Sequence, residues 1–501
     1  MSNHHQLYEI NTRVWLNELN EKLKKQLTLL KVPDEVWTNL IDMGFEWIWL
    51  MGVWESSSVD EKLKIEIKQE MDEALPGWQA EDAFWSPYSI VQYKLNPILG
   101  KSNDLKKIHK KLNEMGAKLM LDFVPNHFGK ASPFVSTHPE YFIHTKTAPT
   151  RNPHLFDYVS MNYWVAYGKD PYFPPWEDTF QLNYYNPETR MFMIQTLLKI
   201  ANICDGVRCD MAMLCLNDIF KKTWDWYLND QEMVQPQSEF CKEAIEEVKS
   251  YIPNFTFLAE VYWDLEWRIQ QLGFDYTYDK QLYDRLLKLT SPSSLKGVRG
   301  HLLADLDFQT KSLRFIENHD EPRAIAAFGR DRSLAAAVIA GTVPGLILYH
   351  HGQLEGKLVR QPLRLRRTKP EPCNEGVSQV YERLLDFTDQ EVLQKGVWSL
   401  LEVKSAWEAN DSWKNILAWQ WTLPEKNKLS LVVVNYSPIC SQGRVLIDIN
   451  VDLNMSNVLL FEDKMDNKTY EWEKGQILKQ GIFMDLQPYQ VHLFNVKVFE
   501  S

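Results

Sequence analysis

The chain has 501 residues and a formal net charge of −12 at pH 7, and 45% of its residues are hydrophobic. This length exceeds a single ordinary hydrophobic core, so we expect one large domain and a smaller one. The negative charge argues against nucleic acid and anionic membranes as the main partners, because both would repel the chain.

Eight short apolar runs rich in β-forming residues alternate with amphipathic stretches of helical period. The runs lie near Glu9, Trp47, Leu119, Val207, Leu258, Tyr276, Phe315 and Ile347. Helical patterns separate them, for example at residues 104–116 and 188–204. This alternation predicts parallel strands joined by crossover helices. Eight such units predict an α/β fold of the (β/α)8 TIM-barrel type.

Two stretches are longer than one barrel unit requires. Residues 128–186 follow the third predicted strand, are rich in Pro, Tyr, Trp and Asn, and predict a loop-rich insertion domain. A charged stretch near Ser56–Trp85 follows the second strand and reads as helical in its middle. After residue 400, short strands separated by turn residues predict a C-terminal all-β sandwich domain. The predicted domains are the barrel in two parts (1–127 and 187–400), the insertion domain (128–186) and the sandwich (401–501).

The cellular compartment is predicted from the first residues, the longest apolar run and the cysteines. The first residues show no basic region followed by an apolar stretch, so no signal peptide is expected. The apolar run Leu334–Tyr349 contains two glycines and a proline and is shorter than the ~20 residues of a membrane span. The six cysteines show no CxxC spacing and read as reduced thiols. These features predict a cytoplasmic protein without a membrane partner.

Polar clusters follow four of the predicted strands. They contain Asp122, Asn126 and His127 after the third strand, Arg208 and Asp210 after the fourth, Glu260 and Trp263 after the fifth, and Asn318, His319 and Asp320 after the seventh. A lone Asp at a strand end usually caps a helix or forms a turn. Several carboxylates gathered on one rim of a barrel are costly to bury unless function needs them. Catalytic groups of such barrels lie at these strand ends.

These segments resemble the conserved regions of the α-amylase family of glycoside hydrolases. LDFVPNH, GVRCD, FLAEVYW and FIENHD are similar to the family's four regions and occur in the same order on the corresponding strands. The resemblance covers about residues 8–353. It implies a retaining hydrolase that cleaves α-glucosidic bonds in maltooligosaccharides or related α-glucans through a covalent glucosyl-enzyme intermediate. The aromatic content of 13% suits a sugar ligand, although composition alone favours the burial of these residues in a large core.

The resemblance assigns roles to individual residues. Asp210 matches the nucleophile, Glu260 the general acid/base and Asp320 the transition-state stabiliser. Arg208 lies two residues before Asp210 on the same face of the strand and should keep that carboxylate charged. Glu260 must start protonated, so burial and its neighbours should raise its pKa. Substrate-binding residues are expected to be Arg208, His127, His319, Tyr88, Asp122, Asn318 and Trp263.

The sequence departs from the family's pattern after the nucleophile. The family's second region often continues with Lys-His, where this chain has Met213 and Leu214. An apolar pair there would suit either a small or apolar-faced leaving group or an open oligosaccharide cleft. Asn126 is the one candidate ligand for a structural calcium ion, and no other cofactor is expected. Aromatic residues of the insertion, namely Tyr163, Trp164, Tyr172, Phe173 and Trp176, would either wall the site or form the insertion's own core.

Three alternatives to α-glucan hydrolysis stay open. The same residues serve a transglycosylase, in which a sugar or polyol replaces water, or a hydrolase of small α-glucosides such as a disaccharide or a glucosyl-polyol. A non-catalytic carbohydrate-binding or partner module is a different class. The presence of all three carboxylates argues against it. The tail's Trp413, Trp419, Trp421 and Trp472 would form either a sugar-binding platform or part of the core.

Overall fold

The computed structural model describes residues 4–56, 68–84, 86–159, 163–288, 295–448 and 457–498. Within these ranges, eight parallel strands close into a barrel, each at one of the predicted positions. In chain order they are β1 (His4–Asn11), β2 (Trp47–Met51), β3 (Lys118–Phe123), β4 (Gly206–Cys209), β5 (Thr256–Ala259), β6 (Tyr276–Tyr278), β7 (Ser312–Arg314) and β8 (Gly345–His350). Each strand pairs with its neighbours in chain order, and β8 pairs with β1. The predicted (β/α)8 barrel is confirmed.

The barrel strands are almost entirely buried on both faces, and most of their side chains are apolar. All five residues of β2 (WIWLM) and all six of β8 (GLILYH) are buried. One face of each strand lies inside the barrel and the other lies under the helices, so neither face needs polar residues. Polar groups therefore concentrate where the strands end.

Helices surround the barrel; most bury one apolar face, and Arg330–Thr342 is buried on all sides from Ser333 onward. The helix Asp104–Glu114 buries Leu105, Ile108 and Leu112, which share one face at helical spacing. The other helices of this layer are Thr12–Leu23, Asp34–Asp42, Pro187–Ala201, Asn217–Asp230, Phe240–Tyr251, Glu266–Gln270, Lys280–Leu287, Leu295–Leu302, Leu306–Thr310, Ala324–Phe328, Arg330–Thr342, Glu375–Thr388 and Glu391–Lys395. Within the described ranges, none of the helices has the length and apolar run that crossing a lipid bilayer requires.

The segment after β3 forms a small antiparallel sheet on the rim. Its strands are His127–Gly129, His144–Thr145, Phe156–Val159, Tyr163–Gly168 and Trp176–Gln181, and a short helix spans Phe134–Thr137. Gln181 pairs with His127, so the last strand of this sheet is fixed beside the end of β3. The chain then re-enters the barrel layer at Asn186, whose side chain accepts a hydrogen bond from the N–H of Glu188 and caps the next helix.

The insertion after β2 is a hairpin with a short helix. The strands Trp54–Ser56 and Ile90–Leu95 pair in antiparallel fashion, and a helix spans Lys68–Ala74. The helix agrees with the helical middle predicted from the sequence. Residues 57–67 and Trp85 of that stretch lie outside the described residues.

The C-terminal part is a β-structure of two antiparallel sheets. Its strands are Val397–Leu400, Glu402–Lys404, Ile416–Leu423, Lys428–Asn435, Ser441–Leu446, Val458–Asp463, Lys468–Glu473, Ile482–Leu486 and Val491–Val498, with a helix at Lys474–Gln480. Trp419 and Trp421 are fully buried, and both indole N–H groups donate to the carbonyl of Thr342 in the barrel layer. These two tryptophans therefore attach the tail to the barrel and are not a sugar-binding platform.

Candidate active site

The three predicted catalytic carboxylates meet in one pocket at the carboxyl ends of the barrel strands. Asp210 directly follows β4 and Glu260 directly follows β5. Their N–H groups donate to the carbonyls of Phe123 and Cys209, so the strand ladder continues one residue further and fixes both side chains at the rim. Asp320 reaches the same pocket from the loop after β7. The pocket has a volume of about 320 Å³.

Arg208 lies beneath this pocket and bridges two of the carboxylates. Its Nη1 is 2.5 Å from Oδ1 of Asp210 and its Nη2 is 2.8 Å from Oε2 of Glu260. The guanidinium is buried, and its Nε donates to the hydroxyl of Tyr278. The sequence predicted the pair with Asp210 but not the second pair with Glu260. One cation therefore fixes the positions of both carboxyl groups relative to each other.

Glu260 has the electrostatic environment of a general acid. Burial raises its pKa to about 7, the neighbouring Asp210 and Asp320 act in the same direction, and Arg208 opposes them. Its carboxyl group accepts hydrogen bonds of 2.7 Å from the hydroxyl of Tyr262 and from the N–H of Met211. A raised pKa agrees with the expectation from the sequence. A group with this pKa is partly protonated near neutral pH and can both give and take a proton.

Asp320 has the opposite environment. Burial alone would raise its pKa, but the ion pair with His319 and the positive charges of Arg208 and Arg360 lower it well below its usual range. His319 Nε2 lies 3.1 Å from Asp320 Oδ2. Asp320 is therefore ionised throughout the neutral range.

Tyr88 and His127 line the pocket beside the carboxylates. The ring of Tyr88 stacks on His319 with centroids 5.4 Å apart, and its hydroxyl lies 2.9 Å from His319 Nε2. Burial lowers the pKa of His127, so this imidazole is neutral. Trp176 of the insertion packs against His127 with centroids 5.3 Å apart and also lines the pocket.

Five residues predicted to bind substrate are not part of the pocket lining. Arg208 and His319 are beneath the carboxylates. Asp122 is buried deeper, where its oxygens accept from the indole of Trp49 and the N–H of Gly52. The remaining two are Asn318, whose side chain accepts from the N–H groups of Asp320 and Glu321, and Trp263, which packs against Tyr172 with centroids 4.9 Å apart. Arg208, His319 and Asn318 contact residues of the site, whereas Asp122 and Trp263 contact Trp49, Gly52 and Tyr172 outside the pocket lining.

Two expectations about the apolar surroundings need correction. Met213 and Leu214 are buried in a short 3-10 helix and do not line the pocket, while Met211 does. Met211 adopts a left-handed conformation (φ +43°) that turns the following residues into the core. Of the insertion's aromatic residues, Trp176 walls the site, whereas Tyr172 and Phe173 are exposed to solvent.

The residues around Asn126 do not fit a calcium ion. The backbone and side-chain oxygens of Asn126 lie 2.9 and 3.0 Å from Nε2 of Gln181, and the carbonyl of Leu182 lies 3.1 Å from the same nitrogen. The N–H of Lys169 donates to the other side-chain atom, Oε1, which fixes the amide in this orientation. An N–H donor thus occupies the point on which these oxygens converge. No cluster of three or more acidic, histidine or cysteine side chains suited to a metal occurs in the described ranges.

The sequence did not single out Asp178 and Arg364 as site residues. Both line the pocket, and Arg364 Nη2 lies 3.4 Å from Asp178 Oδ2. Asp178 belongs to the rim sheet and Arg364 to the segment after β8, so this contact closes one side of the pocket. The group of arginines at 360, 364, 366 and 367 is the sequence signal that marks this segment.

Comparison with known proteins identifies similar sequences. The family description "Alpha amylase, catalytic domain" matches residues 38–374. The α-amylase MalA of Haloarcula japonica is 25% identical over 364 residues, which cover 71% of this chain and 44% of the relative. A probable oligo-1,6-glucosidase of Bacillus subtilis is 24% identical over 306 residues, 51% of this chain and 52% of the relative. The chain spans about half the length of the curated relatives it matches.

Solved structures share the fold over nearly the whole chain. A maltogenic α-amylase (AmyB) from Thermotoga neapolitana superposes with a TM-score of 0.67 at 18% identity and covers 99% of both chains. An α-amylase from Geobacillus thermoleovorans, in complex with acarbose, superposes with a TM-score of 0.66 at 18% identity and covers 98% of both. At this identity the likeness establishes the fold alone.

Proposed function

Because the chain belongs to the α-amylase family, we propose that it is a retaining glycoside hydrolase that cleaves α-glucosidic bonds in short maltooligosaccharides or related α-glucosides. One observation carries this proposal. A single buried arginine contacts two carboxyl groups, one of which, Glu260, has a pKa raised to about 7. Retaining glycosidases require this division between an ionised nucleophile and a protonated acid.

In the first step, Asp210 attacks the anomeric carbon while Glu260 donates its proton to the leaving oxygen. This breaks the glycosidic bond and forms a glycosyl ester on Asp210. In the second step, Glu260 removes a proton from water, which attacks the same carbon and releases Asp210. Two inversions give net retention of the α configuration. All groups in the scheme are side chains of this protein and water.

The other charged groups have supporting roles in the same scheme. The transition state carries positive charge on the sugar ring, and the ionised Asp320 stabilises it. Tyr88 and His127 would contact the sugar at the cleavage point, because both line the pocket beside the carboxylates. Arg208 holds the carboxyl groups of Asp210 and Glu260 in the relative positions that both steps require.

The shape of the pocket favours small substrates. A volume of about 320 Å³ is at the lower end of the ~300–1,000 Å³ typical of ligand pockets. The contact between Arg364 and Asp178 closes one side of the pocket. This observation favours the second candidate function, hydrolysis of or transfer from small α-glucosides such as a disaccharide or a glucosyl-polyol.

We further propose that the protein works in the cytoplasm and needs no calcium. All six cysteines are free thiols, which suits a reducing compartment. The amide of Gln181 takes the position that a cation beside Asn126 would need.

The proposal is tested with maltose, maltoheptaose, soluble starch, trehalose, sucrose and a glucosyl-glycerol. Proton NMR follows the first-formed anomer of each product. We expect α-anomeric products, fastest from the short substrates, and none from Asp210→Asn, which keeps the size of the side chain but lacks the nucleophile. Longer or transferred products would show the transferase. Binding of sugars without turnover of any of them would overturn the proposal in favour of a non-catalytic module.

A further inference from the structure

Glu9 is a buried carboxylate beneath the catalytic pocket with no role in the steps above. It lies in β1, in register with Trp49 of β2 and His350 of β8, and is fully buried. Its Oε1 contacts Nδ1 of His319, across 310 residues of sequence. Its Oε2 has no hydrogen-bond partner among the described residues. A buried carboxylate is costly unless a positive charge compensates for it.

His319 connects Glu9 to the pocket. On one side, Nδ1 faces the carboxylate of Glu9. On the other side, Nε2 lies 3.1 Å from Oδ2 of Asp320 and 2.9 Å from the hydroxyl of Tyr88. A neutral imidazole carries one N–H, so it can donate to one of these two carboxylates. An imidazolium carries two and can donate to both.

We propose that Glu9 is a positioning residue that holds His319 as an oriented imidazolium, and that this imidazolium keeps Asp320 ionised and Tyr88 aligned in the pocket. Glu9 touches no substrate in this scheme and acts through His319. The catalytic consequence rests on the proposed function, whereas the charge state of His319 does not.

The charges on neighbouring strands agree with this assignment. Burial disfavours the charged form of His319, but Asp320 and Glu9 outweigh it and raise its pKa well above the usual value. Asp122 at the end of β3 is a further acidic neighbour of His319, and Trp49 of β2 packs edge-on against the imidazole.

The groups that face Glu9 and Asp320 from other strands leave the assignment unchanged. His350 on β8 does not supply a cation for Glu9, because burial and the positive charge of Arg323 lower its pKa. Tyr278 on β6 also faces Glu9, and burial raises its pKa, so its hydroxyl is neutral. Arg208 on β4 acts on Asp320 from the other side of the pocket.

The first test is the charge state of His319 in the native protein. Protein with ¹⁵N-labelled histidine is titrated by NMR, and the His319 signals are assigned by their absence from His319→Asn. We expect both ring nitrogens to show imidazolium shifts well above pH 6.5, the ordinary pKa of histidine. A neutral tautomer at pH 7.5 would overturn the proposal without any change to Glu9.

The second test removes the charge of Glu9 and keeps its shape. In Glu9→Gln we expect the His319 pKa to fall by at least about one unit, and kcat at pH 7 to fall about tenfold or more with little change in KM. Glu9→Asp, which keeps the charge, should restore the imidazolium signature and part of kcat. An unchanged His319 titration in Glu9→Gln would overturn the proposal even if kcat fell, because Glu9 would then act on the fold alone.

The matched control is another pair of glutamate and histidine outside the pocket. Glu18 lies 3.0 Å from His351, and neither residue lines the site. Glu18→Gln should leave both the His319 titration and kcat unchanged. The NMR measurement does not depend on turnover, so it separates the two proposals. If the native protein contains the His319 imidazolium but has no glycosidase activity, the proposed function is wrong and the role of Glu9 still holds.

Discussion

Two sides of the pocket use the same arrangement and reach opposite results. Around β4 and β5, Arg208 stands between Asp210 and Glu260. Around β1 and β7, His319 stands between Glu9 and Asp320. In each case one cation separates two carboxyl groups. The pKa of Glu260 is nevertheless raised to about 7, and that of Asp320 is lowered.

The difference comes mainly from the number and sign of the neighbouring charges, because burial raises the pKa of both groups. The side chain of Glu260 is 5% exposed, and the neighbouring carboxyl groups of Asp210 and Asp320 both raise its pKa. The side chain of Asp320 is 38% exposed and receives the positive charge of Arg208 and Arg360 in addition to that of His319. A carboxyl group next to a cation is thus not always ionised, because desolvation and like charges can exceed one ion pair.

Removing one carboxyl group from each side should separate the two roles most strongly. Glu260→Gln lacks the proton donor, so we expect kcat on maltose to fall roughly 10²–10⁴-fold. The loss should shrink for 4-nitrophenyl α-glucoside, whose leaving group departs without protonation. Asp320→Asn should cost roughly 10²–10³-fold on both substrates, because stabilisation of the ring charge is needed in either case.

The comparison of leaving groups is made by measuring kcat/KM of each variant on both substrates. Asp218→Asn serves as a control, because Asp218 pairs with Arg268 on the surface and not in the pocket. Equal losses of Glu260→Gln on the two substrates would contradict the acid role of Glu260.

Asn126 and Gln181 show a third way to hold polar groups together, without any ion. Gln181→Leu leaves the two oxygens of Asn126 without this amide donor, so we expect a loss of about 1–3 kcal/mol in the free energy of unfolding. Chemical denaturation measures this loss, with the surface variant Gln442→Leu as the control. A chelator should leave the melting temperature of the native protein unchanged. A lower melting temperature that calcium restores would contradict this interpretation of the site.

The contact between Arg364 and Asp178 should set substrate length rather than the chemistry. Arg364→Ala opens one side of the pocket, so kcat/KM on maltoheptaose relative to maltose should rise by up to about tenfold, the equivalent of one charge-assisted hydrogen bond. Arg366→Ala, an exposed neighbour in the same segment, is the matched control. An unchanged ratio would show that this contact does not limit the length of the substrate.

The parts of the molecule that were predictable from the sequence depend on local patterns. The barrel strands coincide with apolar runs, and polar clusters follow β4, β5 and β7, so both the strands and the three catalytic carboxylates could be located. The apolar run around Glu9 continues to Leu16, but the strand ends at Asn11 and a helix that buries Val14 and Trp15 begins at Thr12. A continuous apolar run does not show where an extended segment becomes helical.

The parts that were missed depend on contacts between distant residues. Arg364 meets Asp178 across 186 residues, in a segment without a periodic pattern. Glu9 reads as one polar residue in an apolar strand, and its partner His319 becomes evident only when β1 and β7 lie in one barrel. Met213 and Leu214 were placed by the motif, but the left-handed turn at Met211 moves them into the core. Neither long-range pairing nor such a turn at a residue other than glycine leaves a local signal.

The smallest expected effect is a shift in the pKa of Glu260. It tests why this pKa is raised while that of Asp320 is lowered. The hydroxyl of Tyr262 donates to Glu260 Oε1 and stabilises the ionised form. Tyr262→Phe removes this hydrogen bond and keeps the ring, so the pKa of Glu260 should rise by about half to one unit.

Since Glu260 must be protonated to act, activity falls as pH rises through its pKa. The alkaline limb of kcat/KM, near pH 7 in the native protein, should therefore move to higher pH in the variant. Tyr283→Phe removes a buried hydroxyl that does not line the pocket, and it should leave the limb in place. A limb that moves to lower pH would mean that Tyr262 favours the protonated acid, and that burial and like charges alone do not account for the contrast with Asp320.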